Sequence, residues 1–302
     1  MHLVRRVLFM NFEKVCVSFP LRWGGKVRNS IIKMSFLISL TVLKSKKIII
    51  PIYQNSLNVG VPKGRLAFTY HTISAPEDNR VNWKISPFSD YFTFDKKGYA
   101  GFGDSTEDRI RLLGLTKPEV EYRAVNFINK LKSIKPKYFT PENDDSSVEK
   151  KIVIVGQLSN DNVSKLRSID DHEMYEVGRL LAEKYKAKLV FRPHPLDKSR
   201  NTTLPTDFSS LKNLEKSGSI VITHNSGFGI LAVTSNVKTV FLAKNEFQDK
   251  EYSFKNTEEA FDFSIKEVES FQISNFYNYF GSLVTYDDAT LINRMVNSAY
   301  EE

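Results

Sequence analysis

The chain has 302 residues, which is enough for two domains of ordinary size, each with its own hydrophobic core. Hydrophobic residues make up 41% and charged residues 26% of the sequence, a composition that excludes disordered and fibrous proteins. The single cysteine, Cys16, excludes an intramolecular disulfide and most cysteine-based metal sites, and it favours a reducing compartment.

The net charge of +8 is concentrated near the start of the sequence. Residues 1–50 contain ten Lys or Arg and one acid, Glu13, so the remaining residues are close to neutral. This basic segment favours contact with an anionic membrane or a polyanionic acceptor, and a solvated basic face is an equal alternative. Nucleic acid is not an expected partner, because the sequence contains no recognisable DNA- or RNA-binding module.

No stretch reaches the roughly 20 apolar residues that a membrane span needs. The longest candidate, Ile31 to Leu43, contains Lys33 and several hydroxyl residues, so we interpret it as a buried or interfacial segment. The start of the sequence lacks the apolar core and the small-residue cleavage site of a signal peptide. We therefore expect a cytoplasmic protein that is peripheral to the inner membrane face.

Residues 1–135 are predicted to form an N-terminal α/β domain on the acceptor side of the protein. The strands and the helix predicted here are Val4 to Met10, Lys14 to Ser18, Ile48 to Tyr53, Arg65 to Thr72, an aromatic strand at Asp90 to Phe94, and a helix over Glu119 to Ile134. Residues 136–150 contain two prolines and a polar tract without periodicity, and are therefore predicted to be a linker.

Two places in this first half offer a carboxylate that could act as a general base. Asp95 follows the aromatic strand and enters a loop with three glycines, whose backbone could approach a ligand closely. Glu77 and Asp78 lie in an earlier turn-rich loop. Asp95 could equally cap its own turn through the backbone, so the identity of the base stays open between these candidates.

Residues 151–302 are predicted to form a C-terminal Rossmann-like domain, because strand and helix patterns alternate regularly. The predicted strands are Ile152 to Val155, Lys188 to Phe191, Ile220 to Thr223 and Thr239 to Leu242, and the predicted helices are Asp171 to Tyr185, Ser209 to Ser217 and Ile230 to Thr234. Such alternation indicates right-handed crossovers and a parallel sheet with helices on both faces.

Polar residues follow three of these strands, at the edge where parallel sheets bind ligands. Gly156-Gln157 follows the first strand, Arg192-Pro193-His194-Pro195 the second, and Asn225-Ser226-Gly227 the third. Ser226 is placed to cap the helix that begins at Gly227, and a helix N-terminus attracts anions. We therefore predict that Gln157, Arg192, His194 and Ser226 surround one phosphate, which Gly227 and Gly229 allow to approach.

Other nucleotide-binding motifs are absent from the sequence. Gly156 is followed by Gln-Leu-Ser-Asn-Asp instead of a dinucleotide fingerprint, and there is no phosphate-binding loop of the Walker type. The five histidines are not spaced as metal ligands, and there is no Asp-x-Asp motif for a metal-nucleotide complex. A metal-independent transferase without a cofactor fits this pattern best.

These residues resemble the capsule polysaccharide biosynthesis proteins, which include glycosyltransferases that transfer 3-deoxy-manno-octulosonate (Kdo) from CMP-Kdo. The resemblance rests on Gly156-Gln157 with Asp161 and Ser164 downstream, on the turn at 192–195, and on residues 223–229. The His-Pro pair also resembles the motif with which bacterial sialyltransferases hold CMP. The resemblance implies a GT-B-type fold of two Rossmann-like domains, with His194 at the CMP phosphate or ribose, Ser226 at the phosphate and Gly156-Gln157 along the nucleotide.

The expected function is therefore that of an inverting glycosyltransferase with Asp95 as the base and His194 at the leaving group. It would transfer an acidic sugar of the Kdo or sialic acid type from a CMP-sugar donor to a surface polysaccharide or glycolipid acceptor. A transferase that uses CDP-glycerol or a UDP-sugar is one alternative. A non-catalytic nucleotide-binding subunit of a capsule assembly complex is the other.

Overall fold

The structure is a computed structural model that describes residues 13–20, 25–54, 61–62, 64–74, 79–103, 105–131, 149–158, 161–196 and 203–301. For residues 25–28 and 301 only the backbone is described. The predicted strand Val4 to Met10, the candidate bases Glu77 and Asp78, and residues 136–148 of the predicted linker lie outside the described residues.

The described residues form strands that assemble into two sheets. They are β1 (Lys14–Pro20), β2 (Ile48–Gln54), β3 (Ala67–Tyr70), β4 (Arg80–Ile85), β5 (Tyr91–Asp95), β6 (Lys151–Val155), β7 (Lys188–Arg192), β8 (Ile220–Thr223), β9 (Lys238–Phe241) and β10 (Val284–Thr285). The helices are α1 (Gly25–Lys44), α2 (Thr106–Leu112), α3 (Lys117–Lys130), α4 (Asp171–Tyr185), α5 (Leu211–Lys216), α6 (Gly227–Thr234), α7 (Thr257–Glu269), α8 (Tyr277–Ser282) and α9 (Ala289–Glu301).

The first sheet has the strand order β10-β5-β4-β3-β1-β2. Strands β1 to β4 run parallel to their neighbours, and β5 and β10 add antiparallel pairings at one side. Helix α1 packs on this sheet through Ile31, Met34, Ile38 and Val42, whose spacing places them on one buried face. The segment predicted as buried or interfacial is thus a helix, in which the Ser35 hydroxyl donates to the Ser18 carbonyl at 2.9 Å.

The second sheet has the order β7-β6-β8-β9, and all of its strands are parallel. Alternate residues of β6 face opposite sides, with Ile152 and Ile154 in the core under α4 and α7, and Val153 and Val155 in the core under α5 and α6. The prediction of an α/β protein with parallel strands flanked by helices is confirmed, and the predicted elements of this half are found within a few residues.

The predicted boundary of a second domain at residues 151–302 needs a correction. Strand β10 pairs with β5 of the first sheet, and α9 buries Leu291, Ile292, Met295 and Val296 in the core of that sheet. The chain therefore returns to the first sheet after completing the second. Hydrophobic residues four positions apart on α9 supply this packing, and sequence periodicity does not reveal which sheet they cover.

An aromatic cluster lies between the elements of the two sheets. Phe88 follows β4, Phe127 belongs to α3, Phe241 to β9 and Phe280 to α8, and all are buried together. The Phe127 and Phe280 rings are stacked with centroids 5.3 Å apart, and Phe88 meets Phe127 edge to face at 4.9 Å. This apolar contact fixes the two sheets beside each other. No helix within the described ranges is both long and apolar enough to cross a membrane.

Candidate functional site

A cavity of about 340 Å³ lies between the two sheets, in the size range of small-ligand sites. One wall consists of the residues that follow β6, β7 and β8, including Gln157, His194 and Ser226. The other wall belongs to the first sheet and its loops, and its polar residues are His71, Lys84, Ser86 and Tyr99. The structure thus brings together the predicted residues of three separate strand ends.

His194 lies half-buried at the tip of the turn after β7. Its Nδ1 accepts a hydrogen bond from the backbone N–H of Leu196 at 3.1 Å. In the neutral ring the proton is therefore on Nε2, which can donate to a ligand oxygen. Pro193 and Pro195 restrict the backbone on both sides of the histidine, so the position of the ring is set before a ligand arrives.

Ser226 caps α6, as predicted, and it lines the cavity. Its Oγ accepts a hydrogen bond from the Phe228 N–H at 3.2 Å, and its own N–H donates to Thr223 Oγ1 at 3.2 Å. The hydroxyl proton of Ser226 is not used in either bond, because the oxygen accepts in one and the backbone donates in the other. Together with the N-terminus of α6, this hydroxyl can donate to an anion.

Gln157 and Asn225 form a pair across the ends of β6 and β8. Gln157 Nε2 donates to Asn225 Oδ1 at 2.6 Å, and Asn225 Nδ2 donates to the carbonyls of Val163 and Lys244. Gln157 Oε1 is buried and has no hydrogen-bond partner among the described residues. A buried acceptor without a partner is costly, so this oxygen is suited to accept from a ligand hydroxyl or amino group.

Arg192 was predicted to donate to an anion, and the structure gives its side chain a largely structural position. The residue is 2% exposed, and Nη1 donates to the Ser209 carbonyl at 2.9 Å. The guanidinium carbon lies 4.1 Å from the centre of the Phe228 ring, a cation–π contact. Arg192 lines the cavity and brings positive charge to it, while its side chain holds the start of α6 against the loop before α5.

The glycines serve close packing within the protein more than approach to a ligand. A side-chain carbon at Gly156 would lie 2.5 Å from Phe191 Cζ, and one at Gly229 would lie 2.7 Å from Phe241 Cε1. At Gly227 the nearest atom would be Pro87 Cγ of the opposite wall, at 3.1 Å. The prediction that Gly229 makes room for a phosphate is thus replaced by a packing role against β9.

Asp95, the first candidate base, is not among the residues that line the cavity. It is 3% exposed, its Oδ2 accepts from Arg109 Nε at 2.8 Å, and its Oδ1 accepts from the N–H groups of Lys97 and Gly98. Both oxygens therefore hold the protein's own donors. This matches the alternative in which Asp95 caps its turn, and the candidate bases Glu77 and Asp78 lie outside the described residues.

Asp161 is an exposed carboxylate on the cavity wall that carries Gln157. It caps a short 3-10 helix at Asn162–Leu166 through the Val163 N–H. Burial raises the pKa of Tyr99 on the facing wall, a hydrogen bond with Asn162 lowers it, and the negative charge of Asp161 raises it again. Asp161 was noted in the sequence only as part of a resemblance, although a carboxylate four residues after Gln157 was a usable signal.

Sequence reasoning missed an ion pair that connects the walls. Lys84 Nζ, from β4, lies 2.6 Å from Glu246 Oε1, in the loop after β9. Arg109 reinforces this contact, since its Nη1 donates to the Glu246 carbonyl at 3.1 Å. Both Lys84 and Glu246 line the cavity. No local pattern marks these charges as partners, because the fold alone brings them together.

Two residues other than glycine on the first-sheet wall have left-handed backbones, His71 and Ala100, each with φ of 53°. Such conformations cost on the order of 1–3 kcal/mol and persist where neighbouring contacts enforce them. His71 N–H donates to the Trp83 carbonyl at 2.7 Å, and Arg109 Nη2 donates to the Ala100 carbonyl at 3.2 Å. Lys46, Asp90, Lys186 and Asn236 also have positive φ and do not line the cavity, so such backbone strain is not confined to this site.

His224 precedes the Asn225-Ser226 pair and is completely buried. Its Nε2 lies 3.1 Å from Asp171 Oδ1 at the start of α4. Burial lowers the pKa of His224, which the hydrogen bond with Asp171 opposes, and the same bond is the main reason that the pKa of Asp171 is lowered. At neutral pH, a hydrogen bond between the neutral His224 and the charged Asp171 therefore connects the loop that carries Ser226 to the start of α4.

No family model matches the chain, and no curated protein sequence matches it. Among solved structures, it is similar to the KpsC beta Kdo 2,7 transferase of Thermosulfurimonas dismutans, with 12% identity and a TM-score of 0.50 over 94% of this chain and 99% of that chain. It also matches the KpsC beta Kdo 2,4 transferase of the same organism, with 11% identity and a TM-score of 0.47 over 83% and 89%. The likeness to the beta Kdo 2,7 transferase shows that the protein shares the fold of that enzyme.

Proposed function

We propose that the protein is a glycosyltransferase that transfers an acidic sugar of the Kdo type from a CMP-activated donor to a polysaccharide or glycolipid acceptor. The observation that carries this proposal is the convergence of Gln157, His194, Ser226 and the α6 N-terminus on one cavity between two sheets. The fold shared with a beta Kdo 2,7 transferase supports it. In this proposal the sheets are the two halves of a GT-B arrangement, and the donor lies between them.

The donor phosphate would lie at the start of α6. The Ser226 hydroxyl, the backbone N–H groups of the first turn and His194 Nε2–H can all donate to it, and Arg192 adds positive charge nearby. The nucleoside would extend along Gly156 and Gln157, where the Gln157 Oε1 can accept from a base amino group or a ribose hydroxyl. In this proposal these donors and Arg192 stabilise the negative charge of the phosphate leaving group, and no cofactor is needed.

Asp161 is the carboxylate that we assign as the base. It would accept the proton of the acceptor hydroxyl, whose oxygen attacks the anomeric carbon from the face opposite CMP. The bond between the anomeric carbon and the phosphate oxygen breaks, and CMP leaves with the electron pair. His194 and Ser226 would stabilise the growing charge on the phosphate, an effect worth about 3 kcal/mol for one well-aimed donor. The acceptor would contact the Lys84–Glu246 ion pair, which connects the two walls.

The same proposal places the reaction in the cytoplasm. Cys16 is buried in the first sheet and forms no disulfide, which fits a reducing compartment. Capsule or glycolipid acceptors would be extended there before export.

The test measures nucleotide binding and sugar transfer for two variants, His194→Ala and Ser226→Ala. Thermal shift with CMP, CDP and UDP identifies the nucleotide that the protein prefers, because a ligand that binds the folded state raises the unfolding temperature. We expect stabilisation by CMP that both variants weaken, and transfer or donor hydrolysis that both reduce at least tenfold. His172→Ala, an exposed histidine on α4, is the matched control. Wild-type activity in both site variants would end the proposal.

The assignment of Asp161 as the catalytic base is tested separately by Asp161→Asn. We expect CMP affinity close to wild type and a transfer rate reduced by about 100-fold or more, because the base acts on the acceptor and not on the nucleotide. A rate near wild type would exclude Asp161 and leave the nucleotide site unaffected.

A further inference from the structure

Exposed apolar side chains are concentrated in one short part of the sequence, which contains α1 and β2. Of the nine large hydrophobic residues that are exposed in the described chain, five lie between residues 36 and 53. They are Phe36, Leu40 and Leu43 on α1 and Ile48 and Tyr53 on β2, all between 42% and 67% exposed. Single exposed apolar residues are ordinary, but a group of this kind marks an interaction surface.

The geometry of α1 makes this group a continuous stripe. Phe36, Leu40 and Leu43 are four and three residues apart, so they lie on one side of the helix. The opposite side is already buried on the first sheet. Helix α1 is therefore apolar on two faces, which is the pattern of a helix covered on both sides. We name the outer face, formed by Phe36, Leu40 and Leu43, the α1 face.

Positive charge borders the α1 face. Lys33 lies one turn before Phe36, and Lys44 and Lys46 follow Leu43, all exposed. Lys47 forms an ion pair with Glu13, the one acid among residues 1–50. An apolar stripe bordered by lysines is the pattern of helices that lie at the surface of an anionic bilayer, where the apolar residues enter the acyl boundary and the lysines contact headgroups.

Two observations disfavour a second copy of this chain as the occupant. Two copies that met through this face would bring their lysines together, in a protein whose net charge is already +8. Strand β2 is the outer strand of its sheet and contains the exposed Pro51, which has no N–H to pair with an added strand. The positive lysines match negatively charged headgroups, and the apolar stripe matches the acyl chains, so a lipid surface is the favoured occupant.

We propose that the α1 face docks the protein on anionic membranes. It lies on the first sheet, apart from the residues that line the cavity, so docking leaves the nucleotide site accessible. This proposal is independent of the sugar-transfer reaction, and would place the enzyme where a glycolipid or membrane-linked polysaccharide is available.

The experiment is co-sedimentation of the full chain with phosphatidylcholine vesicles, with and without 30% phosphatidylglycerol, at low and high salt. We expect binding to anionic vesicles that salt weakens. Phe36→Glu combined with Leu40→Glu should reduce affinity more than tenfold, and Lys44→Gln combined with Lys46→Gln, which removes two positive charges, by about 25-fold at low salt. Tyr122→Glu is the matched control, since Tyr122 is 71% exposed on α3, and it should bind like wild type.

Circular dichroism and CMP thermal shift accompany each variant, because these substitutions lie on exposed positions and should change neither fold nor nucleotide binding. Absence of wild-type binding to anionic vesicles, or equal binding by the Phe36 and Leu40 double variant, would overturn the proposal. A dimer in solution that this double variant converts to monomer, without vesicle binding, would overturn it in favour of self-association. If the wild-type protein binds anionic vesicles but not CMP, the result counts against the proposed transferase and supports membrane docking.

Discussion

Ser226→Ala separates the two tasks of one hydroxyl. In the folded protein Oγ accepts the Phe228 N–H at 3.2 Å, so the substitution removes the cap of α6 and should lower the free energy of unfolding by about 1 kcal/mol. If the same hydroxyl donates to the CMP phosphate, a hydrogen bond to a charged group is lost as well. Such bonds contribute about 1.5–3 kcal/mol, which corresponds to a roughly tenfold to hundredfold rise in the Kd for CMP.

The assay is isothermal titration with CMP, beside urea unfolding of the same preparations. Ser210→Ala is the control, because Ser210 caps α5 through the Asn213 N–H at 3.3 Å and does not line the cavity. We expect both variants to lose similar stability, and only Ser226→Ala to lose CMP affinity. Equal CMP affinity in the two variants would refute the reasoning that places the phosphate at the start of α6.

Three further substitutions test the surroundings of the site. Asp95→Asn breaks a buried pair with Arg109 and should lower the free energy of unfolding by about 3 kcal/mol in urea; normal stability with lost transfer would restore Asp95 as the base. Gly101→Ala places a carbon 2.5 Å from the Lys244 carbonyl oxygen and should cost about 1–3 kcal/mol, measured by thermal unfolding, whereas an unchanged midpoint would contradict this packing. The folded-state pKa of His224 lies below its ordinary value of 6.5, so the unfolded chain takes up the proton first and stability falls as the pH drops below 6.5. His224→Gln should flatten that fall in unfolding experiments from pH 8 to 5; an unchanged slope would assign the acid sensitivity elsewhere.

The second sheet was predictable because its strands carry their own signal. Runs such as Ile152–Val155 and Ile220–Thr223 are apolar on both faces, as strands covered by helices on both sides must be. Once they are taken as parallel, the residues that follow each strand must meet at one edge. The positions of Gln157, His194 and Ser226 therefore follow from topology, without knowledge of any distance.

The first sheet was harder to predict because its elements come from distant parts of the chain. Hydroxyl groups of helix α1 donate to backbone carbonyls, as the Ser39 hydroxyl does to the Ser35 carbonyl at 2.8 Å. A segment whose sequence is partly polar can therefore be buried. Strand β10 has two residues, too few for a periodic pattern. Local sequence contains no information about which sheet such elements join.

The glycines and the charges show why parts of the site were misassigned. A glycine signals close approach, but the sequence does not say what approaches, and at Gly101 it is the backbone of Lys244. Asp95 and Glu246 are both buried carboxylates with cationic partners, yet only Glu246 lines the cavity. Distinguishing a catalytic carboxylate from a structural one required the partners of each oxygen, which only the three-dimensional structure supplies.

The return of β10 and α9 to the first sheet has a consequence for biosynthesis. The strands from β1 to β5 leave the ribosome early, but their core gains Met295 and Val296 only after residues near 300 have been translated. The first sheet is thus completed last, because the strands of the β6–β9 sheet all precede β10 and α9 in the sequence. Until then the partly built first sheet exposes apolar surface, which is the kind of surface that favours aggregation.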